Sequence, residues 1–246
     1  MNTQNRVVSF LKTEDEFGGL SNSADGFPIQ INGFRIPSTE HLYQALKFPD
    51  HPEIQEGILK AGTPTDARKI ASNLVPVGMN KGPVRHVNKQ KFAVTGKIKP
   101  YSENQKLAFK QDHESKIRTD WDEVKLEVMN YCIRAKLINN WVGFGDLLRS
   151  TGNQEIVQKA PKKESFWGLF TSKDGYCRCG YNHLGRLLVN LRGELIDQDN
   201  EPLRTLVPPT HLNLKLLGFE IEPIDRRGHL RQVGTQFSER VAEVRP

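Results

Sequence analysis

The sequence predicts one α+β domain, mostly helical with short strands, and three observations carry that expectation. Helical periodicities outnumber alternating apolar runs, no internal repeat is present, and 246 residues with 37% hydrophobic and 26% charged side chains suffice for a real core. Residues 29–36 read as a hairpin with its turn at Asn32-Gly33, a dipeptide that accepts two successive left-handed conformations. Pro37-Ser38 then breaks the strand and supplies a side-chain cap for a helix starting at Thr39. Further helices are expected over 52–60 and 64–73, the second opened by Thr63-Pro64 with Asp66 in its first turn. The strongest helix begins at Asp120 and runs to about Ile138. Its stripe at 121, 124, 128, 129, 132, 133 and 136/137 is broad enough to mean core. A short helix over 144–150 ends at Thr151-Gly152. Ile156-Val157 marks a buried strand, Phe166-Trp167-Gly168 either pairs with it or turns away, and 184–195 forms the last amphipathic helix. Residues 196–246 are an extension whose Leu-rich middle packs back on the domain and whose last twenty residues are expected to be mobile.

No apolar run approaches the length of a membrane span, and no basic segment precedes an apolar signal core, so a cytoplasmic protein without membrane partners is expected. The three cysteines, Cys132, Cys177 and Cys179, lack the spacing of a disulfide framework and are expected as free thiols. Cys177, Cys179 and His183 fall short of the four ligands of a structural zinc site, so no metal and no cofactor are expected. The net charge of +6 is concentrated. Residues 75–118 hold ten Lys or Arg against three acids. Among them Lys81, Arg85, Lys89, Lys91, Lys97 and Lys99 alternate with glycines, prolines and aromatic rings. That composition suits a single-strand nucleic-acid surface, where cations neutralise phosphates and rings stack bases, and it also suits a solvated insertion.

The run from Pro37 to Phe48 places Glu40, Tyr43 or Gln44, and Lys47 on one helix face. On periodicity alone this is either a solvated salt-bridge face or a chemical site. Seven segments in order weigh that choice. They are Phe17-Gly18-Gly19-Leu20-Ser21-Asn22, the 37–48 run, Pro64 with Ala67 and Lys69, and Asp120-Trp121-Asp122-Glu123-Val124-Lys125 with Met129. Leu147-Leu148 before Thr151-Gly152, Phe166-Trp167-Gly168 and Asn182-His183-Leu184-Gly185-Arg186-Leu187-Leu188 complete them. Across residues 8–195 they resemble the NADAR family, also called YbiA-like, whose members bind or cleave ADP-ribose and related ribosylated compounds.

The resemblance implies that the helix carrying Glu40 borders an active site. It also implies that Trp121 and Trp167 line a pocket for a flat base or ribose, although large rings at such positions equally serve a core. Asn182 reads as a helix cap or a ligand, and Arg186 as a phosphate partner or a helix-end partner. Where many family members carry Leu-Val-Glu, this chain has Ile156-Val157-Gln158, so an acid needed there would have to be replaced by Glu164 or Glu40. Some members cleave N-glycosidic bonds of riboflavin-pathway intermediates, and others remove ADP-ribose from guanine in DNA as antitoxins to DarT-type ADP-ribosyltransferases. The basic segment favours the second activity, with ADP-ribosylated guanine as substrate and a DarT-type toxin as functional partner. A catalytically silent ADP-ribose or NAD binding module is the non-enzymatic alternative. Cleavage at an anomeric carbon develops oxocarbenium character, which calls for a nearby carboxylate and a proton route to the departing nitrogen. Glu40 is the candidate carboxylate, and Lys47 or Lys69 the candidate amine, acting as hydrogen-bond donor or through a Schiff base. Asn22, Tyr43, Gln44, Trp121, Gln158, Trp167, Gly168, Asn182 and Arg186 are the expected substrate contacts.

Overall fold

Among the described residues, the chain threads five α-helices between the two strands of a parallel pair, β1 (Val7–Phe10) and β4 (Glu155–Gln158), registered Val8 opposite Ile156. A computed structural model describes residues 7–72, 113–172, 178–197 and 203–226. A parallel pair needs a long crossover, and here that crossover builds most of the domain. It starts with the hairpin of β2 (Ile29–Ile31) and β3 (Phe34–Ile36), whose turn residues Asn32 and Gly33 both have positive φ, 51° and 79°. Ser38 caps α1 (Thr39–Ala45), and α2 (Pro52–Leu59) and α3 (Pro64–Ala71) follow. Thr63 accepts the backbone N–H of Asp66 and donates to its carboxylate, so the expected helix opening closes reciprocally.

Every residue of α1 is buried, which excludes the solvated salt-bridge face that periodicity had left open. The helix packs on α2, α3 and the long α4 (Trp121–Asn139). It ends at Ala45, so Lys47 lies in the turn beyond it rather than on a continuous helical face. The core stripe of α4, with Val128, Met129, Cys132, Ile133 and Leu137, fills the centre. After α5 (Gly143–Ser150) and β4, the hairpin of β5 (Leu169–Thr171) and β6 (Arg178–Gly180) leads to α6 (His183–Ile196). Phe166-Trp167-Gly168 leads into β5 without itself forming a strand, and the bridge to the β4 side is made just beyond it, between Lys159 and Leu169. Helix α6 lies so close on β4 that a Cβ at Gly185 would stand 2.0 Å from the Ile156 carbonyl oxygen. Only glycine permits that approach.

Residues 203–226 form two small antiparallel pairs, β7 (Thr205–Leu206) with β10 (Ile224–Asp225) and β8 (Lys215–Leu216) with β9 (Phe219–Glu220). Leu203, Leu212 and Leu216 are fully buried, so this stretch belongs to the core. Cys132 is a buried free thiol, whereas Cys179 is disulfide-bonded, which corrects the expectation of free thiols throughout. Of the basic segment only 113–118 is described, and its Arg118 is committed to structure, holding Asp120 through two guanidinium nitrogens and donating to the Leu212 carbonyl. Lys81, Arg85, Lys89, Lys91, Lys97 and Lys99 lie outside the described residues, as do the last twenty residues. Among the described residues no helix is long and apolar enough to cross a membrane.

Candidate active site

Glu40 sits in the first turn of α1, where the helix dipole favours a carboxylate, yet only 7% of it is exposed. One carboxylate oxygen accepts a hydrogen bond from Gln44 Nε2 at 2.7 Å, and Arg68 Nε of α3 stands 3.7 Å from the same oxygen. The Glu40 backbone N–H donates to the Asn22 carbonyl at 2.9 Å, which ties the preceding loop to the start of the helix. Asn22 is itself buried, with Nδ2 3.1 Å from Met129 Sδ, and its Oδ1 meets no donor among the described residues. The buried Oε1 of Gln158 is in the same condition. Buried carbonyl oxygens without donors cost stability, and two of them beside expected substrate contacts suit a ligand that supplies N–H or O–H groups.

Tyr43, one turn after Glu40, gathers the aromatic wall. Its ring centre lies 5.0 Å from Trp121 and 5.5 Å from Trp167 in tilted and edge-on arrangements. The Lys47 ammonium lies 5.4 Å from the Trp121 ring centre and 5.9 Å from that of Tyr43. Burial pulls the Lys47 amine below the usual lysine range, and the Glu40 carboxylate pulls the other way. Burial also pushes the Tyr43 phenol well up, so it stays a neutral hydroxyl. A carboxylate, an amine with a depressed proton affinity and three rings therefore converge. A flat base or ribose can lie against the rings while the carboxylate faces developing positive charge.

Other expected residues are used differently. Lys69 is paired with Asp66 at 3.0 Å on the half-exposed side of α3, and it is Arg68 that reaches Glu40. Both polar groups of the Asn182 side chain are committed to β4: Nδ2 donates to the Ile156 carbonyl at 2.9 Å, and Oδ1 accepts the Gln158 N–H at 3.2 Å. Asn182 holds a left-handed conformation, φ 49°, and caps no helix N–H with its side chain. The carbonyls of Phe166, Trp167 and Gly168 accept the N–H groups of His183, Leu184 and Asn182, so the start of α6 is satisfied by backbone and not open to an anion. Arg186 is exposed and lines a separate cleft of about 770 Å³ between β4, β6 and α6.

Two cations escaped notice in the sequence. Arg68 carries no signal of its own beside Lys69. Lys136 did carry one, as a charge on the apolar stripe of α4. It is fully buried, donates to the Gly19 and Ser21 carbonyls at 2.6 and 2.9 Å, and lies over the Phe27 and Phe144 rings. Burial pushes its amine down to about 7. Lys136 thereby clamps the loop that presents Asn22.

The NADAR domain family matches residues 9–196. The chain belongs to the NADAR family. N-glycosidase YbiA of Escherichia coli is 27% identical over 192 residues, covering 78% of this chain and 90% of that protein. Riboflavin biosynthesis protein PYRR of Zea mays is 30% identical over 203 residues but is matched over 26% of its own length. Riboflavin biosynthesis protein VVA0006 of Vibrio vulnificus is 25% identical, covering 99% of this chain and 54% of that protein. The NMR structure of Escherichia coli YbiA superposes with a TM-score of 0.51 at 26% identity, over 79% of this chain and 87% of that one. This NADAR domain is α+β and predominantly helical, as its sequence predicts.

Proposed function

We propose that this NADAR protein hydrolyses the N-glycosidic bond between ADP-ribose and guanine in single-stranded DNA, and so counteracts a DarT-type ADP-ribosyltransferase. Glycosidase chemistry as a class is supported by the family and by relatives named N-glycosidases. The observation that carries the reading here is the buried Glu40 carboxylate beside the Lys47 amine under the Tyr43, Trp121 and Trp167 rings. In the reaction, water adds to the anomeric carbon, the carbon–nitrogen bond breaks with its electron pair leaving on guanine, and that nitrogen gains a proton. Glu40 takes the water proton and faces the oxocarbenium charge while Lys47 donates toward the leaving nitrogen. Alternatively the neutral Lys47 amine adds to C1 of the ring-opened guanine imine, guanine departs with a proton, and water hydrolyses the resulting lysine Schiff base to free ADP-ribose and the amine. The family resemblance implies an acid at the position of Gln158; of the replacements Glu164 and Glu40, the proposed reaction uses Glu40.

The choice of guanine in DNA rests on the basic stretch 75–118, since a free metabolite gives seven excess positive charges no task. The names of the maize and Vibrio relatives favour a second reading, cleavage of a riboflavin-pathway intermediate. Offering the enzyme an ADP-ribosylated guanine oligonucleotide and a ribosylated pyrimidine intermediate separates the two. Release of ADP-ribose from the oligonucleotide is expected. Replacing Lys89, Lys91, Lys97 and Lys99 by Glu is expected to raise KM for the oligonucleotide and to flatten its salt dependence by roughly 0.7 in log–log slope per lost phosphate contact. Turnover of the pyrimidine compound alone transfers the chain to the riboflavin reading.

A further inference from the structure

The rings of the site do not end at Trp167. Phe166 lies edge-on to Trp167 at 4.9 Å, His183 packs 4.4 Å from Phe166, and Tyr181 stacks on His183 with centres 5.5 Å apart and planes within 5°. The series starts against Lys47 and Glu40 and finishes at Tyr181, which is 60% exposed. Packing alone does not require a largely exposed tyrosine stacked on a histidine at the surface.

Cations border this outer half. The Lys125 ammonium lies over the Phe166 ring at 4.5 Å. Arg186 is exposed and pairs with no acid among the described residues. Burial first, and then the Arg186 and Lys125 charges, hold the His183 imidazole below the usual histidine range, so both cations stand near that ring. Tyr181 and Arg186 continue into the 770 Å³ cleft, where Arg178, paired to Glu155, adds a third cation. Lys125 shares its charge with Asp122 at 2.8 Å, as Arg178 does with Glu155, whereas Arg186 has no acid partner among the described residues. An outward tyrosine ring bordered by such cations is what a single nucleic-acid strand engages, a base on the ring and phosphates on ammonium and guanidinium groups.

We propose that the ridge of Phe166, His183 and Tyr181, flanked by Lys125 and Arg186, is a stacking platform for the nucleotides of single-stranded DNA next to the base held at Glu40. This rests on the DNA reading above, but it names a surface separate from the basic segment 75–118. The ring series sets the path. A base in the inner pocket lies against Trp121 and Trp167, and the strand leaves over Phe166 toward Tyr181 and the α6 cleft.

The test is fluorescence anisotropy of the full-length protein with a labelled, unmodified thymidine oligonucleotide of about ten nucleotides, across a salt series. Loss of one base-stacking platform corresponds to roughly a 5- to 150-fold rise in Kd, so Tyr181→Ala is expected to weaken binding within that range while Tyr181→Phe restores it. Lys125→Gln with Arg186→Gln is expected to lower the slope of log affinity against log salt by about 1.4, two contacts at about 0.7 each. Unchanged melting of Tyr181→Ala checks that the fold is intact. Tyr181→Ala and the double variant binding as wild type, with unchanged salt slope, would overturn the platform. If wild type releases ADP-ribose from modified oligonucleotides under that result, the proposed reaction stands and only the platform falls. If wild type releases none, yet binds unmodified strand in a Tyr181-dependent manner, the reaction falls and the platform stands.

Discussion

Glu40 is placed by its neighbours to matter more for charge than for shape. Its backbone is held by Asn22 and its oxygen by Gln44, so Glu40→Gln keeps size and hydrogen-bonding capacity while removing the negative charge that the proposed reaction sets against the anomeric carbon. The expected result is a loss of kcat of about 10²–10⁴-fold with ADP-ribose binding largely retained, measured by product release and calorimetry. Survival of activity within about tenfold would remove Glu40 from the centre of the chemistry. Lys47 makes a different demand. With its amine pulled below the usual range by burial, a larger neutral fraction exists near neutral pH than for a surface lysine, and that fraction grows as pH rises. Activity through a Schiff base is therefore expected to climb with pH until Lys47 is deprotonated, and borohydride during turnover is expected to leave ADP-ribose on the peptide bearing Lys47. Lys69, paired with Asp66, is expected to stay unlabelled. Active enzyme without an adduct would assign Lys47 to hydrogen-bond donation, and Lys47→Arg would then retain part of the activity instead of losing it.

At the scale of elements, Lys136 joins helix α4 to the loop before α1. Lys136→Met fills similar volume but takes the ammonium from the Gly19 carbonyl, while the Ser21 carbonyl keeps the Ala24 N–H, a cost of about 1–3 kcal/mol that urea unfolding near pH 7 measures. The pH dependence has a definite sign. The folded amine titrates at about 7 and the unfolded one in the ordinary lysine range, so between those values the unfolded chain holds the extra proton. Stability then rises with pH through that window, by at most about 1.4 kcal/mol per pH unit, and this rise is expected to be absent from Lys136→Met. Equal pH profiles for the two proteins would show that Lys136 keeps its proton when buried. These elements were legible where local chemistry dictated them: the Asn32-Gly33 turn, the Ser38 and Thr63 caps, and the core stripe of α4 all appear in the fold. Long-range partnerships left no trace in the chain. Nothing local in Asn182 reveals that its amide is bonded to β4, and nothing local distinguishes Arg68, which reaches Glu40, from Lys69, which does not. The side chains of a site are chosen by the packing of α1 against α3 and α4, which periodicity along one helix does not encode.

On the scale of the whole molecule, the question is whether residues 203–226 are an appendage or part of the cooperative unit. The answer turns on Gln55, a fully buried amide in α2. Its nitrogen donates to the Ala45 carbonyl at the end of α1 and to the Lys215 carbonyl in β8, and its oxygen accepts the Leu217 N–H. One side chain thus joins the helix bearing Glu40, its neighbour α2 and the C-terminal hairpin. Asn32 repeats the device at the β2–β3 turn, donating to the Glu220 carbonyl and accepting the Glu222 N–H. Gln55→Leu keeps the bulk of the side chain but takes the Gln55 partner from the part-buried Lys215 carbonyl and Leu217 N–H, while the Ala45 carbonyl keeps the Phe48 N–H. A destabilisation of about 2–5 kcal/mol is expected, from the usual cost of about 1–3 for each such group with partial relaxation. If the extension and the helical domain form one unit, urea unfolding of Gln55→Leu shifts to a lower midpoint with the slope m unchanged and a single transition by fluorescence and circular dichroism alike. Two separated transitions, with Trp121 and Trp167 reporting the later one, would instead show that 203–226 releases first while the active-site rings stay assembled. Activity measured between the two midpoints would then report directly whether the site needs the extension.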